Sequence, residues 1–335
     1  MIFVTGGTGL LGSHLLISLT RRTNSIRAIY RSEKKIEQLK CVFKFYYPEN
    51  WQSYFKKIEW LKGDILDVPF LQESMKNFSQ VYHCAALVSF HKRDFNLCMK
   101  INREGTANVV NVCLENRIDK LCYVSSTAAI GGDDFIENNE NRKWKTTPST
   151  SGYSISKYSA EKEVWRGIEE GLDAVIVNPC VILGAGNWND SSLTIFRTMR
   201  KGVKFYPPGS NAQVDARDVA EIMCRLMNSS IINERYLCIG SNQSFKELMS
   251  EIAKELNVNP PTIATKMWMV TIARILSGTF SFFLRKRPSL TKETVTSLFG
   301  NLSYSNKKIC SELDFEFRSL ENTVKNAVAG RIKDS

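Results

Sequence analysis

The sequence predicts an α/β fold, with a doubly wound parallel sheet carrying a smaller, mainly helical C-terminal lobe. Three observations lead there: short β-branched runs alternate with longer helical patterns over the first two-thirds of the chain, a glycine-rich turn follows the first run, and the rhythm breaks after Pro179. Strands are expected at Ile2–Thr5, Ile26–Tyr30, Ile58–Leu61, Val81–Cys84, Leu121–Ser125 and Ala174–Asn178. Helices are expected between them at Gly12–Arg22, Phe70–Lys76, Asn102–Glu115 and Tyr153–Glu170, which places helices on both faces of the sheet. Beyond Pro179 the pattern gives a Gly-rich loop at Gly184–Gly186, helices at Leu193–Arg200, Ala216–Met227 and Phe245–Leu256, and a strand at Tyr236–Ile239. The expected division is a sheet domain over 1–182 and a lobe over 183–335, with some lobe segments returning to the sheet.

Composition narrows the function class. A net charge of +11 suits an acidic ligand, but the basic residues come in short groups (Arg21-Arg22, Lys34-Lys35, Lys56-Lys57) without a nucleic-acid motif, so no nucleic-acid partner is expected. The nine cysteines are scattered and lack metal-site spacing; no metal is expected, and a reducing cytoplasm is the expected compartment. The first strand begins at Ile2, which leaves no room for a basic leader and an apolar segment before it.

The segment Thr5-Gly6-Gly7-Thr8-Gly9-Leu10-Leu11-Gly12 joins the first strand to the first helix. Gly6 permits the tight turn, Gly9 lets backbone approach a pyrophosphate, and Gly12 lets the helix pack closely on the strand; Thr8, Leu10 and Leu11 complete the cradle. At that junction the glycines mark a Rossmann-type dinucleotide site, and a purely structural turn is the weaker account. After the second strand, Tyr30-Arg31-Ser32 with Lys34-Lys35 offers cations and no acid before Glu33, which favours NADP, with Arg31 on the 2′-phosphate and NAD as the alternative. Asp64 and Ile65 follow the third strand and border the adenine. Cys84, Ala85 and Ala86 end the fourth, where small side chains leave backbone accessible. His83, one of three histidines, reads as a packed histidine rather than a catalyst, and Asn102 either holds backbone near the site or caps a helix.

Tyr153 and Lys157 stand four residues apart, which brings phenol and ammonium onto one helix face. A neighbouring ammonium favours the phenolate and so lowers the phenol's pKa. Such a pair alone would mean a surface helix; its weight comes from the hydroxyl cluster Ser125-Ser126-Thr127 at the end of the fifth strand, which can hold a substrate oxygen beside the phenol.

Together these motifs resemble the extended short-chain dehydrogenase/reductases, in particular the dihydroflavonol-4-reductase-like, 3β-hydroxysteroid-dehydrogenase-like and NAD-dependent epimerase/dehydratase groups. The resemblance runs from Met1 to about Val219 and includes Asn178-Pro179-Cys180-Val181-Ile182-Leu183-Gly184, similar to a family segment beside the nicotinamide, and Val214-Asp215-Ala216-Arg217-Asp218-Val219-Ala220. It implies Thr127, Tyr153 and Lys157 as catalytic residues, with Ser125 and Ser126 supporting, although a shift of one residue would select Ser126. It also implies Tyr153, Lys157 and Pro179 beside the cofactor. Ile130-Gly131-Gly132 lacks the aromatic that lines many sugar-nucleotide sites, and Ala128-Ala129 replaces the acid pair of the dehydratases, which disfavours elimination.

The implied activity is reduction of a carbonyl on a small apolar or mixed substrate by NADPH. A nucleotide-sugar epimerase with retained NAD and a non-catalytic dinucleotide sensor are the alternatives, and a homodimer is compatible with the family. Residues Met267–Leu284 form an apolar stretch followed by Arg285-Lys286-Arg287. Arg274 near its middle would cost about 2.5–3.5 kcal/mol in a spanning helix, so a pocket helix is preferred to membrane-surface contact through 267–287.

Overall fold

In the computed structural model, residues 1–132, 134–147, 150–271, 295 and 298–332 are described. Seven parallel strands form the main sheet: β1 (Ile2–Thr5), β2 (Ile26–Tyr30), β3 (Ile58–Lys62), β4 (Gln80–His83), β5 (Lys120–Val124), β6 (Ala174–Pro179) and β9 (Glu234–Cys238), in the spatial order β9-β6-β5-β4-β1-β2-β3. The order reverses between β1 and β4, where Thr5 lies opposite His83. Ligands of doubly wound sheets collect in the crevice that opens at such a reversal.

Helices α1 (Leu10–Thr20), α2 (Glu33–Tyr46) and α5 (Ala216–Met227) cover one face, and α3 (Gly105–Glu115) and α4 (Gly152–Glu169) cover the other. The first face is sealed by Leu15, Leu16, Phe43, Ile222 and Met223, the second by Phe3, Val109, Val164 and Ile176. The smaller lobe contributes β7 (Val181–Leu183), β8 (Ser210–Asp215) and β10 (Ser241–Ser244), which form a three-stranded sheet, and helices α6 (Phe245–Leu256) and α7 (Leu320–Ala329) around a core of Trp188, Phe196, Ile252 and Val324. Two segments past residue 183 rejoin the large sheet: α5 packs beside α1 and β9 adds the outer strand.

The structure adds to and corrects the expected pattern. Helix α2, not among the helices named from sequence, fills the gap between the second and third strands; its charged first turns hide a narrow apolar stripe of Ile36, Leu39, Val42 and Phe43. The helix expected from Asn102 begins earlier, because Met99–Glu104 forms a π-helical turn ahead of α3, so Asn102 caps nothing. The three-stranded sheet was not expected, since strands of three to six residues with polar members such as Gln213 and Asn242 carry little periodicity.

Residues 267–271 are helical, and the remainder of the 267–287 stretch lies outside the described residues. No described helix is long and apolar enough to cross a membrane. The outer edge of β9 is occupied by side chains: the Leu237 amide donates to Glu140 Oε1 (2.9 Å), Lys308 Nζ donates to the Arg235 carbonyl (3.0 Å) and Asn306 Nδ2 donates to the Ile239 carbonyl (2.8 Å).

Candidate active site

The glycine loop is built as a cradle. Gly6 adopts φ +69°, and a Cβ there would lie 2.5 Å from the Ala85 amide nitrogen; at Gly12 it would lie 2.2 Å from the Gly6 carbonyl oxygen. Both glycines are therefore demanded by neighbouring backbone. Gly9 differs, since a Cβ there would meet only the Gly6 oxygen, at 3.4 Å, so nothing in the protein requires a glycine at this exposed position. The helix behind it starts at Leu10 with no capping side chain and no acid in its first turn, leaving the positive end of α1 to an anion. Thr8, Leu10 and Leu11 flank that end, Leu11 turning into the core. These residues fit a pyrophosphate.

The Cys84 amide donates to the Thr5 carbonyl (3.1 Å) and the Ala85 amide to Thr5 Oγ1 (3.3 Å), while Ala86 is exposed. At the adenosine end, Arg31 is 61% exposed and meets Asp64 only at 3.9 Å, and Lys35 is held by Asp190 from the small lobe. Asp64 Oδ1 accepts from the Leu66 amide (3.0 Å). The side chain of Ile65 is core and its carbonyl accepts from Asn108 (3.1 Å), so only its amide remains for a ligand.

His83 is fully buried between Thr5 Oγ1 (2.6 Å) and Thr106 Oγ1 (3.0 Å), and burial pushes it down to about 3. It is a neutral, hydrogen-bonded core residue. Asn102 clamps the segment after β4: its Oδ1 accepts from the Leu87 amide (2.7 Å), and its Nδ2 donates to the Leu87 carbonyl (2.9 Å) and to Ser156 Oγ (2.9 Å), between Tyr153 and Lys157 in sequence.

Helix α4 begins where Ser151 caps the Ser154 amide (3.0 Å), which fixes the rotation of Tyr153 and Lys157 toward the sheet. Tyr153 is 9% exposed and edge-on to Phe90 at 5.5 Å between ring centres, with the Ser126 hydroxyl beside it. Burial pushes its phenol up to about 12, and the Ser126 hydrogen bond acts in the opposite direction. Lys157 donates to Tyr123 Oη (2.8 Å) and to the Val124 carbonyl (2.8 Å). The expected tuning of Tyr153 by the ammonium is thus not the arrangement found: Lys157 is turned to the end of β5, and the phenol answers to Ser126. An ammonium has three donors, so one is left after these two contacts.

The implied hydroxyl also shifts. Thr127 is buried on the Tyr304 side of the turn, where the Tyr304 hydroxyl donates to the Gly131 carbonyl (3.4 Å), whereas Ser126 lies beside the phenol. The tight turn over Thr127–Ala129, capped by Ser126 Oγ on the Ala128 amide (3.1 Å), points consecutive side chains in different directions. Pro179 ends β6, buried and opposite Cys238. Sequence reasoning missed Tyr123, Glu161 and Arg235; only Glu161, four residues past Lys157 on the same helix face, left a sequence signal.

Burial pushes the Lys157 ammonium down to about 7 from 10.5. Below pH 7 the folded protein carries the full cost of a buried charge. As pH rises from 7 to 10.5 the unfolded chain binds more protons than the folded one, so stability climbs through that window. Lys157→Met is therefore expected to gain more stability relative to wild type at about pH 6 than at about pH 9, as read by denaturant unfolding at both values. An equal difference at the two pH values would contradict the lowered pKa.

Residues 2–238 match the NAD dependent epimerase/dehydratase family. A Synechocystis sp. protein carrying the provisional name dihydroflavonol 4-reductase is 25% identical over 333 residues, covering 97% of this chain and 93% of its own. Anthocyanidin reductase of Arabidopsis thaliana is 27% identical over 274 residues, covering 73% of this chain and 77% of that protein. The Bordetella bronchiseptica enzyme WbmH, solved with NAD+, shares the fold with a TM-score of 0.72 at 19% identity, over 98% of this chain and 97% of that one.

Proposed function

The chain belongs to the NAD dependent epimerase/dehydratase family, and from that premise we propose that it is an NADPH-dependent reductase of a ketone or aldehyde on a small apolar or mixed substrate. The observation that carries this reading is the buried Tyr153 phenol beside Ser126 at the carboxyl end of the sheet, a group protonated at neutral pH and held further in that form by its burial. A proton donor is what carbonyl reduction needs at the oxygen.

The dinucleotide, when bound, supplies the hydride. Gly9 and the start of α1 hold its pyrophosphate, and the remaining Lys157 donor is available to its ribose. Ser126 orients the substrate oxygen, and Tyr153 gives that oxygen its proton. Phe90, part-exposed and edge-on to the phenol, supplies an apolar neighbour, which favours a substrate with an apolar flank. Ala128-Ala129 leaves no carboxylate pair for elimination.

The test is a titration of purified protein with NADPH and NADH by nicotinamide fluorescence, followed by a screen of aldehydes, ketones and nucleotide sugars for absorbance change. Net NADPH consumption on a carbonyl supports the reductase. Retained NAD with sugar interconversion and no net redox change would replace it with an epimerase.

NADPH preference rests on Arg31, whose loose contact with Asp64 leaves its guanidinium free to turn to a 2′-phosphate. Losing a charge-assisted pair worth about 1.5–3 kcal/mol should weaken NADPH by roughly ten- to hundredfold in Arg31→Ala, with NADH affinity nearly unchanged. Equal loss for both cofactors would remove Arg31 from this role.

A further inference from the structure

Behind Tyr153 and Lys157 lies a carboxylate that the proposed chemistry does not use. Glu161 is 3% exposed, yet it is anchored from three strands and its own helix. Its Oε2 accepts from Ser125 Oγ past the end of β5 (2.6 Å) and from Asn178 Nδ2 of β6 (2.8 Å); its Oε1 accepts from Arg235 of β9 (2.8 Å) and from Trp165 of α4 (3.3 Å). The same Asn178 amide donates to the Ser126 carbonyl (2.9 Å). The carboxylate is therefore one bond from Ser125, which precedes Ser126, and two bonds from the Ser126 backbone.

We infer that Glu161 is a positioning residue of this site: its buried carboxylate fixes the Ser125–Ser126 strand end and supplies the negative charge that the Lys157 amine meets from its own helix. The inference rests on the reductase reading for its functional meaning, but its geometry does not.

A buried carboxylate is costly unless it is paired and hydrogen-bonded, and Arg235, Ser125, Asn178 and Trp165 meet that cost. Lys157 stands one helical turn away on the same face. Facing the Lys157 amine are Tyr123 and the Val124 carbonyl from β5, His83 and Cys84 from the end of β4, and Glu161 from its own helix. Burial keeps His83 uncharged near neutrality and raises the Tyr123 phenol and the Cys84 thiol, so both stay protonated. Among the described groups around this amine, Glu161 is the negative charge, and Arg235 partly cancels it. Removing Glu161 and removing Arg235 must then move Lys157 in opposite directions. A residue that only stitched strands together would not produce that pattern.

The test is an NMR titration of full-length protein labelled with 13C at the lysine ε position, without dinucleotide, with the Lys157 signal assigned by its loss in Lys157→Met. Its midpoint is expected to fall by about one pH unit or more in Glu161→Gln and to rise by about half a unit in Arg235→Gln. A midpoint unmoved in both variants, or moved the same way in both, overturns the inference. Should Glu161→Gln not fold, Arg235→Gln decides alone, because its side chain is 20% exposed and a midpoint that fails to rise there refutes the charge coupling. The titration needs no turnover, so its failure is distinct from failure of the reductase reading, which the NADPH-consumption screen tests.

Discussion

Tyr153→Phe is expected to lower carbonyl turnover by about 10²–10⁴-fold while leaving NADPH affinity nearly unchanged. The substitution deletes one oxygen and keeps the ring, so the edge-on contact with Phe90 and the burial of the side chain persist. What is lost is the hydroxyl beside Ser126, the proton donor of the proposed reaction. Dinucleotide binding is untouched because the pyrophosphate cradle lies at β1 and α1, on different elements. Steady-state kinetics together with fluorescence titration of NADPH provide the check. Turnover retained within a fewfold would remove Tyr153 as the proton donor.

The second large effect separates two kinds of glycine. In Gly12→Ala the new methyl would sit 2.2 Å from the Gly6 oxygen and 2.8 Å from the Gly7 Cα, both backbone atoms that no rotamer change can move. Overpacking of this kind costs about 1–3 kcal/mol, and shifting the start of α1 loses at least one or two charge-assisted contacts to phosphate. NADPH affinity is expected to fall about a hundredfold or more, with a lower melting temperature. Gly9→Ala should behave otherwise, because its methyl meets only the Gly6 oxygen at 3.4 Å. It should leave thermal stability near wild type and still weaken the dinucleotide, since the methyl projects where pyrophosphate would lie. Equal stability loss in both variants, or intact binding in Gly9→Ala, would contradict the cradle.

Much of this was legible in the sequence, and the exceptions have physical causes. The sheet strands were readable because strands buried on both faces become near-continuous apolar runs, as in Ala174–Pro179. The glycine loop was readable because backbone crowding leaves no other residue at Gly6 or Gly12. Helix α2 was missed because only four of its residues are buried under a charged surface. Within the site, spacing gave the Tyr153/Lys157 face but not where the amine bonds, since Tyr123 and Val124 reach it from a strand more than thirty positions away. The choice between Thr127 and Ser126 was open for a related reason: a tight turn over Thr127–Ala129, capped by Ser126 on the Ala128 amide, sends consecutive hydroxyls in different directions, which residue type alone does not reveal.

The stretch around Glu140 touches the border of the large sheet, together with Asn306 and Lys308. A strand margin whose amides and carbonyls are already taken has little to offer a second polypeptide, so this rim is guarded against strand-by-strand stacking. Replacing Glu140 would release the Leu237 amide, leaving Lys308 and Asn306 to guard the rest of that margin.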